Sequence, residues 1–232
     1  MPGRPLNFSY RLVEEKNWHP DKQSLRKKVL FLIKEFLEEP FFNLISKIES
    51  GDHQALKELY GEFKARVYNT SLSYLQNAEE AEEVTQDVFI EVFKSAGKFR
   101  RGSSVGTWIY RITVNKSLDS LRHRNRKKRA GFLISIFKKE SVELQINAPH
   151  FNHPGVELEN QEKARILFAV IDKLPENQKT AFILSQVEEL PQKEVAMIMK
   201  TTEKAVESLL QRAKASLRKN LEIFNPNRRN SE

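Results

Sequence analysis

One stretch of the chain, residues 78–129, changes from acidic to basic and limits the possible folds more than any other part of the sequence. No Lys or Arg occurs in residues 72–92, and no Asp or Glu occurs in residues 122–129. A short loop of glycines and serines lies between them, together with aromatic side chains at Phe99, Trp108 and Tyr110. An acidic surface suits a basic protein partner, whereas basic side chains beside aromatic rings suit phosphates and bases.

The composition favours a helical protein with a polyanionic partner. The chain has 232 residues, a net charge of +8, only eight glycines and no cysteine. This length fits one large domain or two small ones, and the surplus of Glu, Lys, Leu and Ala favours helices over sheets. Without cysteine there is no disulfide, thiolate metal site or cysteine nucleophile. The longest apolar clump, residues 29–33, falls far short of the roughly 20 residues of a membrane span, so we expect a soluble, intracellular protein.

Residues 1–41 are predicted to form an N-terminal extension of unknown role. Prolines at positions 2, 5 and 20 predict an irregular start, and apolar side chains spaced by three and four predict a helix over 24–39. Two interpretations stay open: a surface helix on a flexible extension, or an inhibitory or partner-binding arm.

Cap residues divide the next segment into helices. A short helix is predicted over 42–49, with Gly51 in a left-handed position after it. Asp52 can cap a second helix that runs to about Gln76, and Asn77 opens the acidic helix. In that helix we expect Phe89 and Phe93 in the buried stripe. The acids form either a solvated face or a docking surface, and their single sign favours docking.

The glycine-serine loop precedes a helix that ends in the basic run. Ser103 and Ser104 can satisfy the free N–H groups at its start, near Val105 to Thr107. Trp108 is either a core residue or a functional one. Asn115 is a poor helix former, so either a hydrogen bond to a base edge or a buried backbone contact must favour it at this position.

Residues 130–157 are predicted to be a linker, because they contain Gly131, Pro149 and Pro154. An apolar patch over 132–137 is unusual for a passive tether. The pair His150 and His153 lacks further ligands nearby, so no metal site is predicted, and no cofactor site is recognised elsewhere.

The C-terminal segment, residues 158–232, reads as helices over 158–172 and 176–186 followed by a compact pair. Residues 191–200 form a short helix, a tight turn follows, and a long helix begins at Glu203 with Thr202 as its N-cap. This spacing is typical of a DNA-binding helix-turn-helix, with a plain helical hairpin as the alternative. The predicted fold class is therefore all-α, with two small helical domains joined by a linker.

Three segments carry a resemblance to a known family. KFRRGSSVGTWIYRITVNKSLDSLR closely resembles the core of bacterial sigma factors of the extracytoplasmic-function group, in the sigma-70 family. AEEAEEVTQDVFIEVF resembles the helix before it, and residues 174–221 resemble the family's C-terminal domain. The resemblance implies a sigma region 2 domain over 42–129 and a sigma region 4 domain over 158–232.

The resemblance also implies roles for particular residues. Core RNA polymerase would bind the acidic helix through Glu83, Gln86, Asp87 and Phe89. The minus-ten promoter element would be recognised and melted by Phe99, Trp108, Tyr110, Arg111, Asn115, Arg122, Arg124 and Arg126. The minus-thirty-five element would be read by Thr202, Lys204, Ser208, Gln211, Arg212 and Lys214.

The chain departs from the family pattern at several positions. Glu207 and Leu209 stand where basic residues are usual, Lys200 stands where glycine is usual, and Val105 replaces a common aromatic residue. Because an acid facing phosphate is unfavourable, either the recognition helix is rotated or its site is read differently.

The resemblance implies a non-enzymatic protein without a small-molecule substrate. Its partners would be core RNA polymerase, promoter DNA and an anti-sigma factor. Its place would be the cytoplasm, with the anti-sigma factor able to hold it at the inner membrane. The alternative function is a stand-alone helix-turn-helix regulator, and no catalytic motif favours an enzyme.

Overall fold

The structure of the protein, a computed structural model, describes residues 40–100, 102–138 and 161–224. Within these ranges every regular element is a helix and no strand occurs, which confirms the predicted all-α class. The described residues from Phe41 onward belong to one compact unit. The helix predicted over 24–39 and the pair of histidines in the linker lie outside the described residues.

Four helices form the first half of the described chain. Their bounds are 40–49 for α1, His53–Leu75 for α2, Ala78–Ser95 for α3 and Val105–Lys138 for α4, with a 3-10 turn at Ala96–Lys98. The predicted caps are confirmed. Gly51 has a φ of 90°, and Asp52 Oδ1 accepts from the backbone N–H groups of Gln54 and Ala55 at 2.8 and 3.1 Å. Asn77 accepts from the Glu80 N–H at 2.9 Å, which starts α3.

Helix α4 is longer than the sequence predicts. Ser104 Oγ accepts from the Thr107 N–H at 3.0 Å, so the helix begins where its cap was expected. It continues to Lys138 and includes the first nine residues of the predicted linker. A single glycine at position 131 costs only about 1 kcal/mol inside a helix. The chain there contains no proline, so nothing forces the helix to end after the basic run.

The second half contains α5 to α8. The bounds are Gln161–Asp172 for α5, Glu176–Phe182 for α6, Gln192–Met199 for α7 and Glu203–Phe224 for α8. A π-helical turn, Ile183–Val187, extends α6. The last two helices are joined by a turn at 200–202, as the helix-turn-helix spacing predicts.

Buried aliphatic side chains fill both halves. Leu59, Val88 and Ile109 are fully buried or nearly so in the first half, as are Leu184 and Val206 in the second. Each of these side chains lies on the apolar face of its helix. Burial of that face therefore fixes which side of each helix points inward. Within the described ranges, no helix is long and apolar enough to cross a bilayer.

Candidate functional site

The acidic face of α3 consists of Glu83, Gln86, Asp87 and Ile90. These positions follow the i, i+3, i+4, i+7 spacing that places side chains on one side of a helix. The three polar side chains are exposed, and Ile90 is 49% exposed although it is apolar. Sequence reasoning missed Ile90, although its spacing from Glu83 and Asp87 could have identified it. The face offers two negative charges around an apolar side chain.

Of the two phenylalanines predicted in the buried stripe of α3, Phe89 is buried as expected and Phe93 is not. Phe89 is buried and packs edge-on against Tyr60 with a centroid distance of 4.7 Å, so its ring is not available to a partner. Phe93 was predicted to be buried, but it is 36% exposed. Its ring stacks on His53, 5.4 Å away, at the outer edge of the helix pair. The buried stripe therefore continues through Val92, and Phe93 lies at its edge.

An aromatic cluster of Phe42, Phe99 and Trp108 lies where the glycine-serine loop meets α4. The Phe99 and Trp108 rings are 4.9 Å apart at 41°, and Phe99 stacks on Phe42 at 5.9 Å and 23°. All three side chains are half-buried, so part of each ring remains accessible. Sequence reasoning identified Phe99 and Trp108 but missed Phe42, because α1 is separated from them by more than 50 residues.

Asn115 lies on the same side of α4 as Trp108, two turns further along. Seven residues of α-helix correspond to a rise of about 10 Å and an almost complete return to the same face. Its side chain is exposed, so it does not make the buried backbone contact considered from the sequence. The face from Trp108 to Asn115 thus presents a ring at one end and an amide at the other.

The residues between them contact the second half of the chain. Arg111 Nη2 donates to the Met197 carbonyl of α7 at 2.7 Å. The Tyr110 hydroxyl donates to Glu188 Oε2 at 3.2 Å. Burial raises the pKa of Tyr110 and also raises the pKa of the Glu188 carboxyl, so both groups favour their neutral forms more than usual.

Some arginines further along α4 make ion pairs or hydrogen bonds within the chain, and others are exposed. Arg122 forms ion pairs with Asp119, at 3.0 Å, and with Glu176 of α6. Arg124 Nη1 donates to the Leu75 carbonyl and to Glu80, both at 3.0 Å, and so ties α4 to the junction of α2 and α3. The Arg126 side chain is exposed, as are those at positions 127 and 129. This end of α4 is a positively charged surface.

The turn between α7 and α8 has the geometry of a helix-turn-helix. Lys200 ends α7 in the left-handed conformation, with φ 53° and ψ 47°. Thr202 Oγ1 accepts from the Ala205 N–H at 3.2 Å and caps α8, as predicted. Glycine adopts the left-handed region without steric cost, which explains physically why glycine is usual where Lys200 stands here.

The packing of α8 fixes which of its side chains point outward. Val206, Leu210, Ala213 and Leu217 are buried and hold one side of the helix against its neighbours. Glu207 is exposed and Leu209 is half-buried, packed against the core. The predicted contact residues are exposed except for the half-buried Ser208: Thr202, Lys204, Ser208, Gln211, Arg212 and Lys214. The acid at position 207 therefore lies one turn from Lys204 and one turn from Gln211 on the outward face.

These surfaces suit binding to proteins and nucleic acids. Half-buried rings stack on bases, an amide can hydrogen-bond a base edge, and guanidinium groups bind phosphates. In the part of the chain that the structure describes, no cluster of three metal-ligating side chains occurs.

Sequence comparison identifies two family segments in the same order as the two halves. The family described as Sigma-70 region 2 matches residues 59–127, and the family described as Sigma-70, region 4 matches residues 164–217. Together the two matches cover just over half of the chain. The first includes the acidic face and the aromatic cluster except Phe42, and the second includes the helix-turn-helix.

Two similar proteins have consistent names. The RNA polymerase sigma-H factor of Pseudomonas aeruginosa is 26% identical over 188 residues, which cover 77% of this chain and 92% of that protein. The ECF RNA polymerase sigma factor SigW of Bacillus subtilis is 28% identical over 185 residues, which cover 76% of this chain and 94% of that protein.

Two solved structures share the fold. CnrH in complex with the cytosolic domain of CnrY matches with a TM-score of 0.56 and 19% identity, covering 80% of this chain and 99% of that chain. The sigma factor RpoE of Bartonella quintana, solved in complex with the anti-sigma factor NepR, matches with a TM-score of 0.51 and 17% identity, covering 72% of this chain and 96% of that chain.

Proposed function

The chain belongs to the extracytoplasmic-function group of RNA polymerase sigma factors, and we propose that it directs core RNA polymerase to promoters through three separate surfaces. The observation that carries this proposal is the occurrence of both sigma segments in one chain. The first segment presents an acidic face and an aromatic cluster, and the second presents a helix-turn-helix. A stand-alone regulator would need only the last of these surfaces.

The acidic face of α3 is the proposed docking site for core polymerase. Glu83 and Asp87 are exposed on one side of the helix and can pair with basic side chains of the polymerase. Ile90 supplies an exposed apolar contact in the same patch, which is the pattern of a binding hot spot inside a polar rim. Phe89 supports the face from beneath, because its ring is buried.

The aromatic cluster and Asn115 are the proposed minus-ten site. Removing a base from a duplex costs a few kcal/mol, so strand opening needs a surface that stacks on the unpaired base and hydrogen-bonds its edge. Phe99 and Trp108 offer accessible ring surface, and Asn115 offers both a donor and an acceptor. The exposed cations near Arg126 would bind the adjoining phosphates, which makes binding dependent on salt.

Helix α8 is the proposed reader of the minus-thirty-five element. Its capped N-terminus and the exposed side chains of Lys204, Gln211 and Arg212 are placed to enter a major groove. Glu207 lies on the same outward face. An acid there disfavours phosphate and favours a cytosine amino group, so we infer that this chain reads a different minus-thirty-five sequence from its relatives.

Two further inferences come from the family. We infer that the protein acts by binding and does no covalent chemistry of its own. Both similar structures are complexes with a second protein, the cytosolic domain of CnrY in one and the anti-sigma factor NepR in the other. We therefore also infer a cytoplasmic protein controlled by an anti-sigma factor, which could hold it at the inner membrane.

The test is transcription in vitro with purified core polymerase on fragmented genomic DNA, followed by sequencing of the transcript starts. We expect starts that share a two-box motif. Asn115→Ala should reduce promoter opening by at least tenfold while leaving polymerase binding unchanged, because the amide contributes only after a base has left the stack. Charge reversal at Glu83 and Asp87 should instead weaken polymerase binding.

Two outcomes would contradict the proposal. Duplex binding at a single box without polymerase would favour the stand-alone regulator. Equal loss of polymerase binding and promoter opening in Asn115→Ala would remove the minus-ten role from this residue.

A further inference from the structure

Helix α1 has a second contact face beside its buried stripe. Leu44, Ile45 and Ile48 are buried in the core of the first half. Phe42 and Glu49 are two helical turns apart, so they lie on a common side of the helix next to that stripe. This helix lies before the segment matched by the Sigma-70 region 2 family, which begins at residue 59.

The second face of α1 contacts the turn that carries Phe99. A Cβ added to Gly97, in the 3-10 turn before Phe99, would lie 3.0 Å from Glu49 Oε1, so the Glu49 carboxylate lies against this glycine. At the other end of the same face, the Phe42 ring stacks on Phe99 with a centroid distance of 5.9 Å and an angle of 23°. Both ends of this face of α1 therefore adjoin the segment that places Phe99 in the aromatic cluster.

The orientation of the Phe99 ring depends on the rings around it. Phe99 has an extended backbone, with φ −66° and ψ 120°, and donates its N–H to the Ala96 carbonyl at 3.0 Å. This bond fixes the backbone but does not fix the side-chain torsions. The contacts with Phe42 and with Trp108, whose centroid is 4.9 Å from that of Phe99, restrict those torsions.

The neighbouring residue, Phe41, packs on a different ring. It meets Phe63 of α2 edge-on, with a centroid distance of 5.3 Å and an angle of 69°. Phe41 precedes Leu44 by three residues and so continues the buried stripe, whereas Phe42 lies beside it. Both phenylalanines are half-buried. Two adjacent side chains of the same type thus separate core packing from contact with Phe99.

We propose that Phe42 is a positioning residue of the minus-ten site, which holds the Phe99 ring in the orientation that stacks on an unpaired base. The inference rests on the proposed function, because it uses the base-stacking role of Phe99. Without the Phe42 ring, the Phe99 side chain would lose rotational freedom each time a base bound. Ordering one side chain on binding weakens an interaction by about fivefold.

The role belongs to promoter opening and not to polymerase binding. The proposed docking face is on α3, at Glu83, Asp87 and Ile90, whereas Phe42 contacts the segment between α3 and α4. Replacement of Phe42 should therefore leave the affinity for core polymerase unchanged. The defect should appear at the step in which a base leaves its pair.

The test compares two DNA templates in the full-length protein bound to core polymerase. One template is a duplex promoter recovered by sequencing transcript starts, and permanganate reactivity of unpaired thymines measures its opening. The other has the same sequence with a mismatched, already unpaired minus-ten region. Phe42→Leu should reduce opening of the duplex by about fivefold. It should reduce transcription from the mismatched template by less than about twofold, because unpairing a mismatched base costs little.

Phe41→Leu is the matched control, since it removes a ring from the next position of the same helix. It should leave opening of the duplex at the wild-type level, and Phe42→Tyr, which keeps the ring, should restore it. Equal losses in Phe41→Leu and Phe42→Leu, or equal losses of Phe42→Leu on both templates, would show that the ring supports only the fold. Increased opening in Phe42→Leu would show that the ring competes with the base. Each of these results would overturn the proposal.

A double variant distinguishes positioning from direct contact with the base. If Phe42 acts through Phe99, then adding Phe42→Leu to Phe99→Leu should cause no further loss of opening. A further fivefold loss in the double variant would mean that Phe42 acts on the DNA independently, and the positioning role would be wrong.

The same variants separate this inference from the proposed function. If Phe99→Leu impairs opening and Phe42→Leu does not, the minus-ten site stands and the positioning role is wrong. If Phe99→Leu has no effect while transcripts still start, the aromatic cluster is not the minus-ten site and both fail. If the wild-type protein starts no transcripts and does not bind polymerase, the proposed sigma function itself fails.

Discussion

The interior of the first half and the contact between the two halves are built from different groups. The interior consists of aliphatic side chains such as Leu59, Val88 and Ile109, each at most 1% exposed. The contact between the halves includes polar groups: Lys179 and Gln76 donate to backbone carbonyls, and Arg122 forms an ion pair with Glu176. Burial of apolar side chains stabilises the folded state and does not depend on the direction of any bond. Each polar contact, in contrast, must offset the hydrogen bonds to water that its groups lose.

This difference implies two levels of stability within one chain. An aliphatic interior has no alternative partner in water, so the helical halves stay folded. A polar interface exchanges its contacts for water or phosphate at a net cost of about 1 kcal/mol per bond. The proposed binding of two separate promoter elements would benefit from rigid halves and a contact between them that opens easily.

The largest expected effect comes from the interior. Leu59→Ala removes a fully buried side chain, and the lost transfer energy together with the cavity should lower the free energy of unfolding by about 3 kcal/mol. Chemical denaturation followed by circular dichroism measures this change. Lys57→Ala, an exposed position on the same helix, should change it by less than about 0.5 kcal/mol. Similar values for both would show that α2 is not packed as described.

A smaller effect is expected at the turn before α8. Lys200→Gly relieves the left-handed strain of a residue with a side chain and should raise the free energy of unfolding by about 0.5–1 kcal/mol. Lys193→Gly makes the same exchange inside α7 and should lower it by about 1 kcal/mol. Opposite signs for these two variants would confirm the turn geometry, and a loss of stability in both would refute it.

The smallest effect concerns pH and belongs to the contact between the halves alone. Burial raises the pKa of Glu188 in the closed form, in which the halves are in contact, while Thr70, Tyr110 and Arg66 oppose this shift. A raised pKa means that the closed form binds the proton more readily than an open form in which the halves are apart. The closed population should therefore be favoured most at and below the ordinary carboxyl range. It should decrease as the pH rises through the raised pKa.

Energy transfer between dyes on cysteines introduced at the exposed positions Lys57 and Lys219, recorded from about pH 7 down to about 4.5, measures this trend across the carboxyl range. A glutamine at position 188 cannot titrate. The Glu188→Gln variant should therefore lose the part of the pH dependence of energy transfer that comes from this carboxyl. The difference between the two titrations also removes the contribution of Lys179, whose pKa burial shifts in the opposite direction. Identical slopes for wild type and Glu188→Gln would show that Glu188 does not control the contact between the halves.

Much of the site could be predicted from the sequence because its signals are local. Asp52, Asn77 and Thr202 cap the helices they precede in the sequence, since a cap bonds an N–H group two or three residues away. The outward positions of α8 follow from its own apolar spacing. The acidic face was also predicted from the sequence, because the residues around it include several acids and no Lys or Arg. These features need no knowledge of what lies opposite in space.

Features that depend on a distant partner were missed or misplaced. Phe42 stacks on Phe99 across more than 50 residues, and Phe93 is exposed at the outer edge of its helix pair. The linker was predicted to begin at residue 130, yet α4 continues through its apolar patch to Lys138. Periodicity describes one helix at a time and carries no information about which neighbour covers each face.

The sequence by itself determined the helical class, the order of the two sigma regions and the residue types of each proposed binding surface, because periodicity, caps and charge runs act over a few residues. Only the tertiary structure decided that Tyr110, Arg111 and Arg122 bind the second half, and that Lys179 is buried against Tyr74. Those contacts join positions 50 to more than 100 residues apart. Their existence depends on the packing of whole helices, which no local pattern encodes.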